Sequence, residues 1–209
     1  MIDRLVLNAS GLESGESSHT GVVMNSSQEL IALARTGDHE AFRLLFERYA
    51  SPVMLFTFNL VGRRDVAEEL TQETFVRAYR NLKKLRDEAR FSTWLFGIGR
   101  NVAREWLRSR EQLNRGRPLD AESVPEPQHP TGISPVDQLQ QKELNTAIEI
   151  ALQSLNDERR MVFALKVIHQ HSYQEIVDIT GFSLGKVKTE LHRARVEMRR
   201  RLRTFREKK

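Results

Sequence analysis

Five of the six prolines in this chain fall between Pro118 and Pro135, and that placement limits the fold more than any other feature. Proline has no backbone N–H, and its ring disrupts helix interiors and central strands. The stretch RGRPLDAESVPEPQHPTGISP offers no hydrophobic period in compensation, so residues 113–135 read as a semi-extended linker. A length of 209 residues allows one to two domains. The linker divides them into a block at 26–112 and a block at 136–209, with residues 1–25 as a flexible tail.

Both blocks show the 3.6-residue period of amphipathic helices, and neither shows a convincing period of two. Ser26 with Glu29 can cap a short helix ending near Gly37. Asp38 can cap a second, HEAFRLLFERYASPVMLFTFNLV, which Gly62 stops. Asp65 with Glu68 has capping-box spacing for a third, DVAEELTQETFVRAYRNL. A fourth runs from Ser92 to about Arg110. Beyond the linker, one helix covers 135–155, Asn156 caps DERRMVFALKVIH, Ser172 with Glu175 caps SYQEIVDIT, and Ser183 caps the last. The expected fold is all-α: two small helical domains joined by a proline-rich linker, the second with a helix-turn-helix.

Composition removes several classes. There is no cysteine, which excludes disulfides and Cys-ligated zinc and suits a reducing cytoplasm. No apolar run reaches the length of a membrane span. Residues 1–25 lack the basic start and apolar run of a signal peptide, and Met24, just before the SSQE cap, is a candidate second start of translation. The net charge of +5 is uneven. Residues 186–209 hold 11 Lys/Arg and 3 Asp/Glu, a net of +8, which leaves −3 for everything before them. A basic C-terminal end suits contact with a polyanion.

Three helix faces carry the functional reading. On the helix through 65–82, Ala67, Leu70, Thr71, Thr74, Phe75, Ala78 and Leu82 share one buried side. The other side carries Glu68, Glu69, Gln72, Glu73 and Arg80, interrupted by Val76 and Tyr79. Two apolar residues among acids suit a protein partner, although single exposed apolar residues are also ordinary. In FSTWLFGIGRNVAREWLRSR, the residues Phe91, Trp94, Leu95, Ile98, Val102 and Trp106 form an apolar side. Thr93, Gly97, Arg100, Asn101, Arg104 and Arg108 form the other, a set of groups suited to nucleic-acid backbones and bases. In SYQEIVDITGFSLGKVKTELHRAR, Gly181 suits the turn of a helix-turn-helix. Leu184, Val187, Leu191, Ala194, Met198 and Leu202 make an inward stripe. Ser183 opens this last helix, and Lys186, Lys188, Thr189, Glu190, His192, Arg193 and Arg195 are left to face the major groove.

These three motifs, in this order and with a linker between the second and third, resemble the two-domain sigma factors of bacterial RNA polymerase, specifically the extracytoplasmic-function group. The resemblance covers most of 27–203. It implies that Asp65, Glu68, Glu69, Gln72, Glu73, Val76 and Tyr79 dock on the clamp helices of core RNA polymerase. It implies that Arg86, Arg90, Ser92, Thr93, Trp94, Arg100, Asn101, Arg104 and Arg108 recognise and melt the −10 element. The helix from Ser183 through Arg195 would read the −35 element. The linker would thread toward the active-site channel of the polymerase, and an anti-sigma factor is a further implied partner. No cofactor, metal or catalytic residue is expected.

The sequence departs from the family pattern at three places. Gly97 and Gly99 weaken the fourth helix by roughly 1 kcal/mol each relative to alanine. Glu190 sits among basic residues, where it can accept from a cytosine amino group or pair with Lys186 or Arg193. His171 stands where glycine is common. The main rival is a helix-turn-helix regulator that binds DNA without polymerase. Metal sites at Glu68, Glu69 and Glu73, or at His169 and His171, lack ligands from a second helix.

Overall fold

The computed structural model describes residues 26–114 and 145–207. The N-terminal tail with Met24, most of the expected linker and the first part of the helix expected at 135–155 lie outside them. Among the described residues every regular element is helical.

Four helices form the first block: α1 (Ser27–Arg35), α2 (His39–Val61), α3 (Arg64–Asn81) and α4 (Phe91–Asn114). Their ends follow local chemistry. The Ser26 hydroxyl accepts from the Glu29 N–H, and the Glu29 carboxylate accepts from the Ser26 N–H. Asp38 accepts from the N–H groups of Glu40 and Ala41. Gly62 ends α2 at φ +72°, a conformation that favours glycine. The expected cap at Asp65 is not there. The N-cap is Arg63, without a side-chain bond, and Asp65 lies in the first turn, paired with Arg63 at 2.6 Å. An acid in the first turn is favourable whether or not it caps, so the pattern located the helix but not its first residue.

Helix α3 buries six of the seven expected inward residues against α2 and α4, and the seventh, Leu82, is buried at the start of the turn that follows. Its threonines are satisfied inside. Thr71 Oγ1 donates to the Ala67 carbonyl at 2.7 Å, Thr74 Oγ1 to Leu70 at 2.6 Å, and the Thr57 hydroxyl of α2 reaches Thr71 at 3.2 Å. Two one-turn 3₁₀ helices, Leu82–Lys84 and Glu88–Arg90, lead into α4. Helix α4 runs unbroken through Gly97 and Gly99 and continues past Arg110 to Asn114, two residues into the segment expected as linker. At Gly99 a Cβ would lie 3.6 Å from Thr74 and 3.8 Å from Phe56, so the helix passes close to its neighbours at that point.

The second block holds α5 (145–153), α6 (Asp157–Phe163), which passes into a π-helical turn at Ala164–Ile168, then α7 (Tyr173–Thr180) and α8 (Leu184–Glu207). Asn156 caps α6 by accepting from the Arg159 N–H at 2.9 Å. Ser172 and Glu175 form the capping box of α7, and Gly181 ends it at φ +71°. In the HQHS turn the left-handed residue is Gln170, at φ +57°, while His171 is buried. The departure from glycine is thus absorbed one residue before His171.

The two blocks share one hydrophobic core. His169 packs edge-on to Phe56 and Phe96, with ring centroids 5.8 and 5.0 Å away, and His171 packs on Phe96 at 4.8 Å. Arg160 Nη1 donates to the Leu60 carbonyl at 2.8 Å, and Gln153 Nε2 to the Asn59 carbonyl at 3.3 Å. Gln153 lies where a side chain at Gly62 would be, 2.9 Å from the position of a Cβ.

Burial, with repulsion from His171 second, depresses the His169 pKa from 6.5 to about 3. A depressed base stabilises the packed state only while neutral. Its contribution is complete above about pH 6.5 and is lost as pH falls from there toward about 3. We expect thermal unfolding at pH 5.5 to show a fold weaker by about 1 kcal/mol than at pH 7.5. His169→Phe, which keeps an aromatic ring in the seam, should lose at least half of that difference. An unchanged pH dependence in the variant would assign the effect to other groups.

Candidate polymerase and DNA interfaces

The outer face of α3 is a mixed acidic and apolar surface. Val76 and Tyr79 are each 41 % exposed. Asp65, Glu68, Glu69 and Gln72 are exposed beside them, and Glu73 is half-buried. Several of these acids are already neutralised locally. Glu68 pairs with Arg64 at 3.2 Å, and Arg77 bridges Glu73 at 2.7 Å to Glu105 of α4 at 2.8 Å. The apolar part extends further than the sequence indicated. Tyr79 meets Phe42 edge-on at 4.9 Å and stacks on His39, whose Nδ1 lies 3.0 Å from the tyrosine hydroxyl. Phe46, 39 % exposed, meets Phe75 at 4.8 Å. His39, Phe42 and Phe46 therefore continue the surface onto α2. The charges of the first half of α2 (Glu40, Arg43, Glu47) mark an outward side next to these rings, but a helix read alone does not show that its rings join those of α3.

Along α4, Arg100, Asn101, Arg104 and Arg108 share one side as expected. Asn101, Arg104 and Arg108 are exposed and Arg100 is half-buried. Arg100 Nε is enclosed with no hydrogen-bond partner, and its Nη1 reaches only the neighbouring Asn101 amide oxygen at 3.3 Å. Burial first, then repulsion from Arg104 and Arg108, lowers its proton affinity. A polyanion laid along this stripe would relieve both.

The N-terminal end of α4 differs from expectation. Thr93 is buried rather than presented to solvent, and its hydroxyl donates to Glu175 Oε1 of α7 at 3.3 Å. Arg90 is exposed but paired with Asp178 of α7. Ser92 and Trp94 are half-buried, and Arg86 is exposed. Helix α7 of the helix-turn-helix thus lies over the start of the face expected to meet −10 DNA. A helical wheel drawn for α4 alone cannot reveal a cover supplied from 80 residues away. Trp106 is half-buried with Arg110 5.5 Å from its ring.

On α8, Val187, Leu191, Ala194 and Met198 are buried as expected, while Leu184 at the first turn is 44 % exposed. Ser183 caps the helix by accepting from the Lys186 N–H at 3.2 Å. Ser183, Lys188, Thr189, His192 and Arg193 face outward. Lys186 and Arg195 are half-buried. Lys186 pairs with Glu158 at 2.6 Å and lies 4.0 Å from the Phe182 ring. Of the two readings of Glu190, the pair with Arg193 is the one found, at 2.9 Å, but the residue does not face outward: it is 7 % exposed and is held also by Arg159 at 3.2 Å, a partner the sequence did not indicate. A carboxylate enclosed between two guanidiniums is not free to accept from a base. Among the described residues no group of acids or histidines is arranged to hold a metal ion, and no helix is long and apolar enough to cross a membrane.

A four-helix block with an arginine-lined helix, followed by a capped helix-turn-helix, defines a sigma-type promoter-reading protein. Residues 45–112 match the sigma-70 region 2 family, and residues 146–198 match sigma-70 region 4. The chain is 31% identical over 182 residues to the ECF RNA polymerase sigma factor SigW of Bacillus subtilis, covering 83% of this chain and 95% of that protein. It is 30% identical over 176 residues to the ECF RNA polymerase sigma-E factor of Escherichia coli, covering 81% and 91%. The chain belongs to the extracytoplasmic-function sigma factors, which direct RNA polymerase to promoters. Its fold is shared with CnrH, solved in complex with the cytosolic domain of CnrY, at a TM-score of 0.62, 24% identity and coverage of 86% and 99%. It is shared also with the sigma factor RpoE of Bartonella quintana, solved with the anti-sigma factor NepR, at 0.64, 23%, and 78% and 96%.

The arginine stripe sets stability against binding. Arg100→Met should raise thermal stability by about 1 kcal/mol, because it removes a partly enclosed charge that lacks a counterion. The same variant should elute earlier from heparin than the wild-type chain. A destabilised Arg100→Met would show that the guanidinium is a structural group.

Proposed function

We propose that α3, together with the aromatic edge of α2, forms the docking surface for core RNA polymerase. The α4 stripe and the turns before it meet the −10 element, and the outward side of α8 reads the −35 element. The observation that carries this reading is the exposed apolar strip of Phe46, Val76 and Tyr79 beside the acids of α3. A regulator acting alone on DNA has no use for such a surface in addition to two basic ones. The proposed domains are 26–112 and 136–209.

The chain is not an enzyme in this scheme, and nucleotidyl transfer belongs to the polymerase. Melting needs only that phosphate contacts and a pocket offset the few kcal/mol of unstacking a base. The chain works in the cytoplasm, where polymerase and DNA are. Because CnrH and RpoE were solved with proteins bound to them, an anti-sigma factor is proposed as a further partner.

Use of Thr93 and Arg90 on DNA requires them to leave Glu175 and Asp178. Engagement of a promoter therefore separates α7 from α4. The chain has no cysteine, so Ser51→Cys and Val196→Cys supply two clean labelling sites. Energy transfer between dyes at these positions should be high in the free chain and fall once the chain, assembled with core polymerase, engages a promoter. Equal transfer in both states would rule out the separation.

Reconstitution with purified core polymerase, followed by transcription from genomic fragments, tests the whole reading. Discrete transcripts that depend on the added chain are expected. Val76→Asp or Tyr79→Asp should weaken core binding at least tenfold while leaving the melting temperature within a few degrees. Full binding by both variants would refute the docking surface.

A further inference from the structure

We propose that Arg159, which lies on α6 and outside the recognition helix, is a positioning residue for −35 reading. Acting through the buried carboxylate of Glu190, it fixes the guanidinium of Arg193 on the outward side of α8. This rests on the assignment of α8 to the −35 element.

Glu190 is the starting point. Its side chain is enclosed on a helix otherwise basic along that stretch, and a carboxylate in such a place is stable only when paired and hydrogen-bonded. Both partners are arginines. Arg159 Nε lies 3.2 Å from Glu190 Oε2, and Arg193 Nη1 lies 2.9 Å from Glu190 Oε1. Each carboxylate oxygen thus holds a different guanidinium, one half-buried on α6 and one at the surface.

Arg159 is itself held firmly. Its backbone N–H is taken by the Asn156 cap at 2.9 Å, and its Nη1 donates to Glu197 Oε2 at 3.2 Å. Two nitrogens of one planar group therefore span two carboxylates seven residues apart on α8. Lysine, with a single nitrogen, cannot reproduce that fork. The Arg159 side chain is 28% exposed and that of Arg193 is 56% exposed. Arg193 has one nitrogen committed to Glu190, and it lines a shallow, open groove together with Arg159 and His192.

A base-reading arginine works by geometry, since bidentate hydrogen bonds to a guanine need the fork in one plane. Phosphate attraction works by charge and tolerates a loose side chain. Arg159 should therefore govern discrimination between sequences and leave general DNA affinity nearly unchanged. Glu190 transmits the constraint and does not read a base.

The test uses holoenzyme assembled from core polymerase and full-length chain. The probes are a duplex carrying the −35 region of a promoter mapped by the transcription experiment and the same duplex scrambled there. The readout is the ratio of the two dissociation constants by fluorescence anisotropy. Arg193→Ala is expected to lower the ratio about tenfold, and Arg159→Ala to do nearly the same with little change on scrambled DNA. The double variant should be no worse than Arg193→Ala alone, because the two act in series. Arg159→Lys should fall between wild type and Arg159→Ala.

If Arg159→Ala does not fold, Glu190→Gln, which keeps the shape and removes the charge, carries the same cycle. An unchanged ratio in Arg159→Ala or Glu190→Gln beside a lowered one in Arg193→Ala overturns the proposal alone. Losses that add in the double variant overturn it too. An unchanged ratio in Arg193→Ala overturns the role given to Arg193 in reading the −35 element, and the positioning role falls with it.

Discussion

The guanidinium of Arg160 holds the structure at the point where its two halves meet. It donates to the carbonyls of Leu60, Gln153 and Leu155 and to the Gln153 side-chain oxygen, at 2.8 to 3.1 Å. Leu60 lies in the last turn of α2, where the helix dipole favours a cation. Burial lowers the arginine's proton affinity, and Asp157 at 3.4 Å opposes that. The charge is met mainly by carbonyl oxygens, which cannot be titrated away. Once Arg160 is seated, Gln153 fills the space left by Gly62, and His169 is pressed between Phe56 and Phe96.

That seam determines how much of the proposed DNA-facing surfaces is open. It lays α7 over the beginning of α4, so Thr93 bonds to Glu175 and Arg90 to Asp178. It leaves Arg104 and Arg108 in solvent, together with the outer face of α3. One chain therefore presents its proposed polymerase surface while keeping the start of its proposed −10 surface covered. Among the described residues the seam combines aromatic contacts, hydrogen bonds from Arg160, Gln153 and Thr93, and the exposed ion pair of Arg90 with Asp178. Such a contact resembles a transient interface between domains more than the interior of one.

Charge is handled differently in the two proposed recognition elements. Among the described residues the α4 stripe has no counterion of its own, and burial makes the charge of Arg100 unfavourable where it stands. Helix α8 places the carboxylate of Glu190 inside, where it holds Arg193 of the same helix and Arg159 of α6. The first arrangement suits attraction to a backbone, and the second suits fixed geometry toward base edges.

The sequence by itself determined the helices, most of their caps and three of the faces. Each of these depends on residues within one or two turns: Ser26 with Glu29, Ser172 with Glu175, the glycines at 62 and 181, and the apolar stripes of α3 and α8. It placed Val76 and Tyr79 outside because the opposite side of α3 had to be inside. Only the tertiary structure decided the rest. The burial of Glu190 depends on Arg159, which is 31 residues away. The cover over Thr93 depends on Glu175, which is 82 away, and the aromatic surface of Phe42, Phe46 and Tyr79 on how α2 turns against α3. A helical period reports which side of one helix avoids water. It carries no information on which distant charge or ring will meet that side, because that is set by packing among all the helices at once.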